Sequence, residues 1–179
     1  SYANPNSYDD SYFDATGAGA TLSLPALTDL GQLQSYLHIQ ASQAGHVAAP
    51  ALTSIGDPAK QSEYLTIASS GAGSVVDLSA LATIALSGGT LTLSDGGTLV
   101  DPALASAHEL DITVSGGSYT FPALTNFDSS SATVQAGGTL TLPALASYTN
   151  PNSYDDSYLR ATAADAALSL PALASLGQL

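Results

Sequence analysis

Oxygen-rich side chains are concentrated in two loops of identical composition. Residues 4–10 have the sequence NPNSYDD, and the same heptapeptide returns at residues 150–156. Because Ca²⁺ prefers hard oxygen ligands on flexible loops, the candidate calcium ligands are Asn6, Asp9, Asp10, Asn152, Asp155 and Asp156. The same residue types also form plain turns, since Asn and Asp side chains bond to nearby backbone. Calcium is the one cofactor that the sequence suggests, and a purely structural turn is the alternative.

Four tyrosines form a second candidate site, a binding face. Each precedes a Leu or Phe that is predicted to point inward from a strand: Tyr12, Tyr36, Tyr64 and Tyr158. In a stack of coils this spacing places some of them on one outer face, where aromatic rings can form a ladder or contact a sugar or partner. Tyrosine is also a favourable strand residue in its own right. The sequence leaves both interpretations open.

The residues needed for catalysis are scarce in this chain. Its 179 residues include 15 acidic side chains but only two basic ones, Lys60 and Arg160. Lyase chemistry on acidic sugars needs a base and cations to hold carboxylates, and these two residues lie 100 positions apart. The closest acidic cluster consists of Asp95, Asp101, Glu109 and Asp111. Solvating surface charge explains that cluster most simply, so we expect no enzyme and no catalytic residues.

The charge balance also limits the partners. Nucleic-acid binding requires clustered Lys and Arg, whereas this chain has a net charge of −13. No apolar run reaches the ~18 residues of a spanning helix, so we expect no membrane insertion. Cysteine is absent, so packing and backbone hydrogen bonds alone must hold the fold.

Two nested repeats organise the sequence. Residues 1–33 match residues 147–179 at 25 of 33 positions, which predicts one complete unit at 1–146 and the start of a second copy at 147–179. Within the unit, the pattern x-L-x-L-P-A-L-x-x-L recurs with prolines, or their equivalents, at positions 25, 50, 79, 102, 122, 143 and 171. The unit therefore contains six short repeats of 20–29 residues. Repeats of this length are typical of solenoids.

Period-two alternation identifies the solenoid as β rather than α. Segments such as YLHIQAS at 36–42 and YLTIASS at 64–70 alternate apolar and polar residues, and glycine-rich turns bound them. We predict an all-β fold, a right-handed parallel β-helix of about six to seven coils. One leucine of each repeat is expected in a single buried column: Leu27, Leu52, Leu81, Leu104, Leu124, Leu145 and Leu173. Asp101 departs from the pattern at a position where an inward leucine is expected.

These motifs carry a resemblance to known repeat arrays. The PALTSIG of residues 50–56, followed by YLTIASSGAGSVVDLSALATI at 64–84, resembles the LPALTSLGG-x-L-x-I repeats of receptor L-type β-helices. It is also similar to the GAGSVLDLSAL and GGTLTLPAL arrays of giant secreted proteins of planctomycete-like bacteria. That resemblance implies an extracellular or cell-surface location, a structural role and no catalytic residues to transfer.

Two functions remain open at this point. The first is a structural fibre or stalk, whose partners are further copies of the repeat in the same chain or docked head to tail. The apolar last coil, LSLPALASLGQL, favours it, because such an edge needs a covering coil or cap. The second is an adhesin that uses the tyrosines to bind a glycan or matrix component. Ice binding is not expected, because no regular Thr-x-Thr ladder recurs from coil to coil.

Overall fold

The structure is a computed structural model and describes residues 10–30, 33, 36–56, 64–151 and 156–177. All regular elements in these ranges are β-strands. In chain order they are β1 (Ser11–Thr16), β2 (Thr21–Ser23), β3 (Asp29–Leu30), β4 (Tyr36–Ser42), β5 (His46–Ala48), β6 (Ser54–Ile55), β7 (Tyr64–Ser70), β8 (Val75–Asp77), β9 (Thr83–Ser94), β10 (Thr98–Val100), β11 (Ser106–Ser115), β12 (Gly117–Thr120), β13 (Ser131–Val134), β14 (Gly138–Thr141), β15 (Ser147–Thr149), β16 (Leu159–Ala161), β17 (Ala167–Ser169) and β18 (Ser175–Gly177).

Strands that neighbour one another in space are one coil apart in sequence, and they pair in parallel. The first face has the order β1-β4-β7-β9-β11-β13-β16, and the second contains β2-β5-β8-β10 and then β12-β14-β17. On the third face β3 pairs with β6, β6 with the start of β9, and later β15 with β18. The chain is therefore a parallel β-solenoid of about six turns, which confirms the fold class predicted from the repeats.

The two longest strands, β9 and β11, bend around a corner of the coil, so that each forms part of two faces. Thr83 and Ile84 at the start of β9 pair with β6, whereas its later residues pair with β7. Strand β11 follows the same path, with an irregularity in register between His108 and Leu110. The intervening Glu109 has φ = 52°, a left-handed conformation that lets one extra residue be accommodated at the corner.

Apolar side chains of all three faces fill the interior. The predicted leucine column is confirmed, since Leu52, Leu81, Leu104, Leu124 and Leu145 are all 0% exposed. Leu27 and Leu173, in the outermost coils, are partly buried and pack against the same core. The alternation of strand β14 is also as predicted, with Leu140 buried and Thr139 and Thr141 facing outward.

Corners of the coil are built from two kinds of turn. After the second face, a Pro-Ala pair occupies the middle of a turn in which Leu52 N–H donates to Ala49 C=O at 3.1 Å. Proline suits this place because its fixed φ matches the turn and its missing N–H is not needed in a ladder. Before the second face, the backbone passes very close to the preceding coil. A Cβ at Gly45 would lie 2.0 Å from the Ala15 carbonyl oxygen, so only glycine fits there.

Candidate functional site

An aromatic row lies on the outer side of the first three coils; it consists of Tyr12, Tyr36, His38 and Tyr64. Tyr36 is the register partner of Tyr64, and their ring centroids are 4.7 Å apart with 15° between planes. Tyr12 is the register partner of His38 and stacks on it at 4.6 Å. The ring spacing equals the distance of ~4.8 Å between neighbouring strands. The aromatic row is thus a ladder imposed by the coil stacking.

The aromatic row is strongly exposed at its edge. Tyr12, Tyr36 and Tyr64 are 60%, 48% and 40% exposed. Because Tyr36 and Tyr64 cover each other's faces, they present ring edges and hydroxyls to solvent. The row ends one coil further on at Gly88, where an added Cβ would lie 3.0 Å from the Tyr64 ring.

The fourth predicted tyrosine, Tyr158, lies apart from the aromatic row. Strands β9, β11 and β13 separate its coil from that of Tyr64. Its ring is covered by Arg160, whose Cζ lies 4.6 Å from the ring centroid, while Arg160 Nε donates to Thr133 Oγ1 at 3.0 Å. The aromatic row therefore includes three of the four tyrosines, whereas Tyr158, further along the same face, forms a separate cation–π pair with Arg160.

The two predicted calcium loops lie mostly outside the described residues, which include Asp10 and Asp156 but not Asn6, Asp9, Asn152 or Asp155. Tyr12 donates its hydroxyl to Asp10 at 3.3 Å, and Tyr158 donates to Asp156 at 2.9 Å. The same tyrosine-to-aspartate bond thus forms at equivalent positions of the two copies. Among the described residues, no group of three or more His, Cys, Asp or Glu side chains could hold a metal ion. Calcium binding stays a prediction.

These two bonds change the acidity of both phenols. Partial desolvation, followed by the charge and hydrogen bond of Asp10, raises the pKa of Tyr12. The hydrogen bond and charge of Asp156 raise the pKa of Tyr158, and Arg160 opposes this shift. Both phenols are therefore neutral donors at physiological pH.

Part of the predicted acidic cluster lines an open groove of about 300 Å³ on the first face. Glu109, Asp111 and Asp156 supply its carboxylates, and Ser129 and Ser131 contribute hydroxyls. The groove is thus rich in acceptors, and none of the described residues that line it is basic. Lyase chemistry on an acidic sugar needs a cation to hold the substrate carboxylate, and the described lining does not supply one.

A different cavity opens where the second face of the solenoid is interrupted. Strand β10 pairs with β8, and β12 pairs with β14, but β10 and β12 do not pair with each other. The gap holds a cavity of about 250 Å³, which we term the intercoil cleft, lined by Leu93, residues 96–99, Asp101 and residues 117–121. The Tyr119 hydroxyl crosses the gap and donates to the Gly97 carbonyl. One side chain thus replaces the backbone ladder at this boundary.

The backbone hydrogen bonds between neighbouring coils are interrupted at the same place. At this corner the amides of Ala49, Leu78, Phe121 and Leu142 each donate to the next coil, at 2.9 to 3.1 Å. The equivalent amide of Asp101 makes no such bond among the described residues. The coil between positions 102 and 122 is also the shortest of the unit, at 20 residues.

Asp101 occupies the inner wall of the intercoil cleft. It is 6% exposed, both carboxylate oxygens are shielded from solvent, and the Leu104 amide acts on the carboxyl group as a hydrogen-bond donor. Burial raises the pKa of Asp101 to about 8, although the neighbouring Leu104 amide opposes the shift. An isolated buried carboxylate is costly, so this side chain is largely protonated at neutral pH.

The interpretation of Asp101 as a solvating surface charge was therefore wrong. The repeat pattern had already assigned its position to an inward leucine, and the backbone keeps it inward despite the polar side chain. By contrast, the repeat pattern did not predict the intercoil cleft, because missing strand pairing depends on how one coil is placed on the next. Only the departure of Asp101 from the pattern, together with the short coil, marked the site.

Comparison with known proteins gave no match: no family model, no curated protein and no solved structure is significantly similar to this chain. The fold and the repeats define the class, a parallel β-solenoid repeat protein. In the described residues, no helix has the length and apolar character that a membrane span requires.

Proposed function

We propose that this chain is a structural segment of an extracellular surface or fibre protein, in which further coils of the same repeat stack on its last coil. The extracellular location is supported by the resemblance of the repeats to secreted bacterial arrays. The structural role is supported by the solenoid fold itself, whose coils contact only their neighbours and can be extended indefinitely.

One observation carries this proposal: the start of the second copy stacks on the first unit as one more coil. Strand β17 pairs in parallel with β14, and β18 pairs in parallel with β15. Leu176 of the second copy is the register partner of Tyr148, a buried member of the core column on the third face. One unit thus continues into the next by the same pairing that joins its own coils, and a further coil of the repeat can extend the stack in the same way.

The repeated sequence is suited to form such a further coil. Strands β17 and β18 begin 146 positions after β2 and β3, so the second copy of the unit re-forms the strands of the first. A coil that follows β18 would have the sequence that follows β3, and that coil packs Val47 and Leu52 at 0% exposure. The repeated sequence therefore contains the core residues of the coil that would stack on β18.

A tandem protein tests the version in which the coils belong to one chain. Appending residues 34–146 after Leu179 completes a second unit, and its five further coils at about 4.8 Å each add roughly 24 Å of length. We expect one continuous rod by small-angle scattering, and we expect amide exchange in β17 and β18 to slow relative to the 179-residue chain. Two units that scatter as separate bodies, with unchanged exchange in β17 and β18, would contradict the proposal.

Sedimentation velocity tests the version in which separate copies dock head to tail. We expect the 179-residue chain to associate as its concentration rises, and Leu176→Lys to prevent this by placing a charge on the exposed column. Tyr64→Lys is the control, because it adds the same charge to a side face. A chain that stays monomeric at every concentration would exclude docking between separate copies and leave the single-chain version.

The proposal includes no catalytic step. Of the two basic residues, Arg160 is held by Thr133 and Tyr158, and Lys60 lies outside the described residues. This leaves the acceptor-rich groove without a cation from the described part of the chain.

The aromatic row supports a second candidate function, adhesion to a glycan or matrix component. Three tyrosines with 40–60% exposure on one face form a surface of the kind that often marks an interaction site. The test is binding of immobilised polysaccharides by the wild-type chain and by a Tyr36→Ser/Tyr64→Ser variant. Binding that the double variant loses, and that Tyr158→Ser keeps, would support adhesion. Equal binding by all three proteins, or none by any, would assign the row to coil stacking alone.

A further inference from the structure

Tyr36 and Tyr64 are stacked across two neighbouring coils in matching orientation. They are register partners in the parallel pair of β4 and β7, their ring planes differ by 15°, and their centroids are 4.7 Å apart. Because this separation matches one strand spacing of ~4.8 Å, one ring is nearly a copy of the other moved along the solenoid axis. Equivalent carbons, including those ortho to the hydroxyl groups, therefore lie next to each other.

No other two tyrosines in the described part of the chain stack in this way. The register partner of Tyr12 is His38, and the ring of Tyr158 is covered by an arginine side chain. The hydroxyls of Tyr119 and Tyr148 donate to backbone carbonyls, and the ring next to Tyr148 is a phenylalanine. The described residues thus bring one pair of phenols into contact.

The composition of the chain directs one-electron oxidation to tyrosine. Cys, Met and Trp are absent, so the sulfur side chains that oxidants commonly attack and the indole ring do not compete. Tyr36 and Tyr64 are 48% and 40% exposed, so an oxidant in solution can reach both rings. Their position on the outer surface also lets small ring rotations bring the two ortho carbons together. Without cysteine, a disulfide cannot link the coils.

We propose that Tyr36 and Tyr64 are a site of oxidative cross-linking, at which a dityrosine bond joins the coil of β4 to the coil of β7 and stabilises the solenoid. A one-electron oxidant of the peroxide–peroxidase class removes one electron from each phenol, and each phenol releases its hydroxyl proton. The two phenoxyl radicals form a C–C bond between their ortho carbons, and the hydrogen of each ortho carbon then moves to the phenoxyl oxygen. One hydrogen peroxide takes up the two electrons and two protons and becomes two water molecules.

The cross-link joins residues 36 and 64, which lie 28 positions apart. A covalent bond between them stabilises the fold by restricting the unfolded chain, as a disulfide does. The site is independent of the proposed fibre role, because it lies on a side face and requires neither Leu176 nor a further coil.

Oxidation of the folded 179-residue chain with hydrogen peroxide and a haem peroxidase tests the site. We expect dityrosine fluorescence, a monomer that is lighter by two hydrogen atoms and, after pepsin digestion, a cross-linked peptide pair that contains Tyr36 and Tyr64. The yield should be independent of protein concentration, because the bond forms within one chain. A principal cross-link between chains, or one that joins any other two tyrosines, would overturn the proposal, as would the absence of dityrosine.

Three variants test the assignment to this pair. Tyr36→Phe and Tyr64→Phe each keep a stacked ring but remove one phenol, so each should abolish the cross-link within the chain. Tyr12→Phe is the matched control, because it removes a tyrosine of the same aromatic row that is more exposed, at 60%, and it should leave the yield unchanged. Equal yields in Tyr36→Phe and wild type would contradict the assignment.

The unfolded chain separates stacking from mere nearness in sequence. In urea the same oxidation should distribute cross-links over many tyrosine pairs, since the stacked geometry is lost. An equally selective bond between Tyr36 and Tyr64 in the unfolded chain would overturn the argument from the fold.

Urea unfolding of the purified cross-linked monomer tests the effect of the bond. We expect a higher midpoint than that of the untreated chain at the same pH, because residues 36 and 64 remain joined in the unfolded state and the loop between them stays closed. An unchanged or lower midpoint would show that the bond strains the native coils, and it would overturn the stabilising role.

Discussion

Replacing Asp101 by Asn should remove a large pH dependence from the stability of this solenoid. In the unfolded chain an Asp side chain titrates near 3.9, whereas burial raises the pKa of Asp101 in the folded protein to about 8. Between these values the folded protein retains a proton that the unfolded chain has released. Stability is therefore highest at acidic pH and is lost as pH rises toward 8.

The size of the effect follows from the shift. Each pKa unit corresponds to about 1.36 kcal/mol, so a shift from 3.8 to about 8 gives a loss on the order of 5 kcal/mol across the window. In the steep part of the window, the free energy of unfolding should fall by roughly 1.4 kcal/mol per pH unit. Other carboxylates add a background slope, because the chain approaches a net charge of −13 as they ionise.

Urea unfolding at pH 5, 6, 7 and 8, monitored by circular dichroism, separates the two contributions. The difference between wild type and Asp101→Asn should grow with pH, because the amide cannot ionise while the background is shared. Asp111→Asn is the matched control, since it removes one carboxylate from an exposed position and should give a profile parallel to wild type. Parallel profiles for wild type and Asp101→Asn would falsify the assignment of a buried protonated acid.

Three further predictions concern packing and the loops. Leu124→Ala removes three carbon atoms from a fully buried side chain and should lower the free energy of unfolding, measured in urea, by about 2–5 kcal/mol. Leu173→Ala, in the same column but partly buried, should lower it clearly less. Equal losses for the two variants would contradict the column. Gly45→Ala should destabilise the protein by about 1–3 kcal/mol, because the added Cβ would lie 2.0 Å from the Ala15 carbonyl oxygen. Gly88→Ala should cost less, because its Cβ meets only the movable ring of Tyr64, at 3.0 Å. Similar melting temperatures for both variants would argue against the close approach of the backbone at Gly45. The calcium hypothesis predicts a higher melting temperature in millimolar Ca²⁺ than in chelator, and an unchanged scan assigns the two loops to structural turns.

The sequence determined the architecture because each coil repeats the same physical pattern. Alternating apolar residues specify which side of a strand faces inward, and a leucine at a fixed place in each repeat, such as Leu52 or Leu124, must then stack on its counterparts. Glycine and proline mark the corners for reasons of local backbone geometry. These constraints act within one or two coils, so they can be recognised without knowing the whole structure.

Tertiary structure decided the properties that depend on how one coil is placed on the next. Tyr12 stacks on His38, and Tyr36 on Tyr64, because the strand register is set between coils, and the repeat pattern does not state that offset. Tyr158 lies near the far end of the same face for the same reason, with Arg160 rather than a tyrosine on its ring.

Asp101 shows most clearly which properties follow from the sequence and which from the tertiary structure. The sequence placed it at an inward position, yet its polar character led to its interpretation as a solvating charge. Whether a carboxyl group at that position reaches water depends on the coil above it, where β12 does not pair with β10 and the Tyr119 side chain closes the gap. Periodicity in a sequence fixes the direction in which a side chain points, whereas its solvation depends on distant residues that only the folded chain brings together.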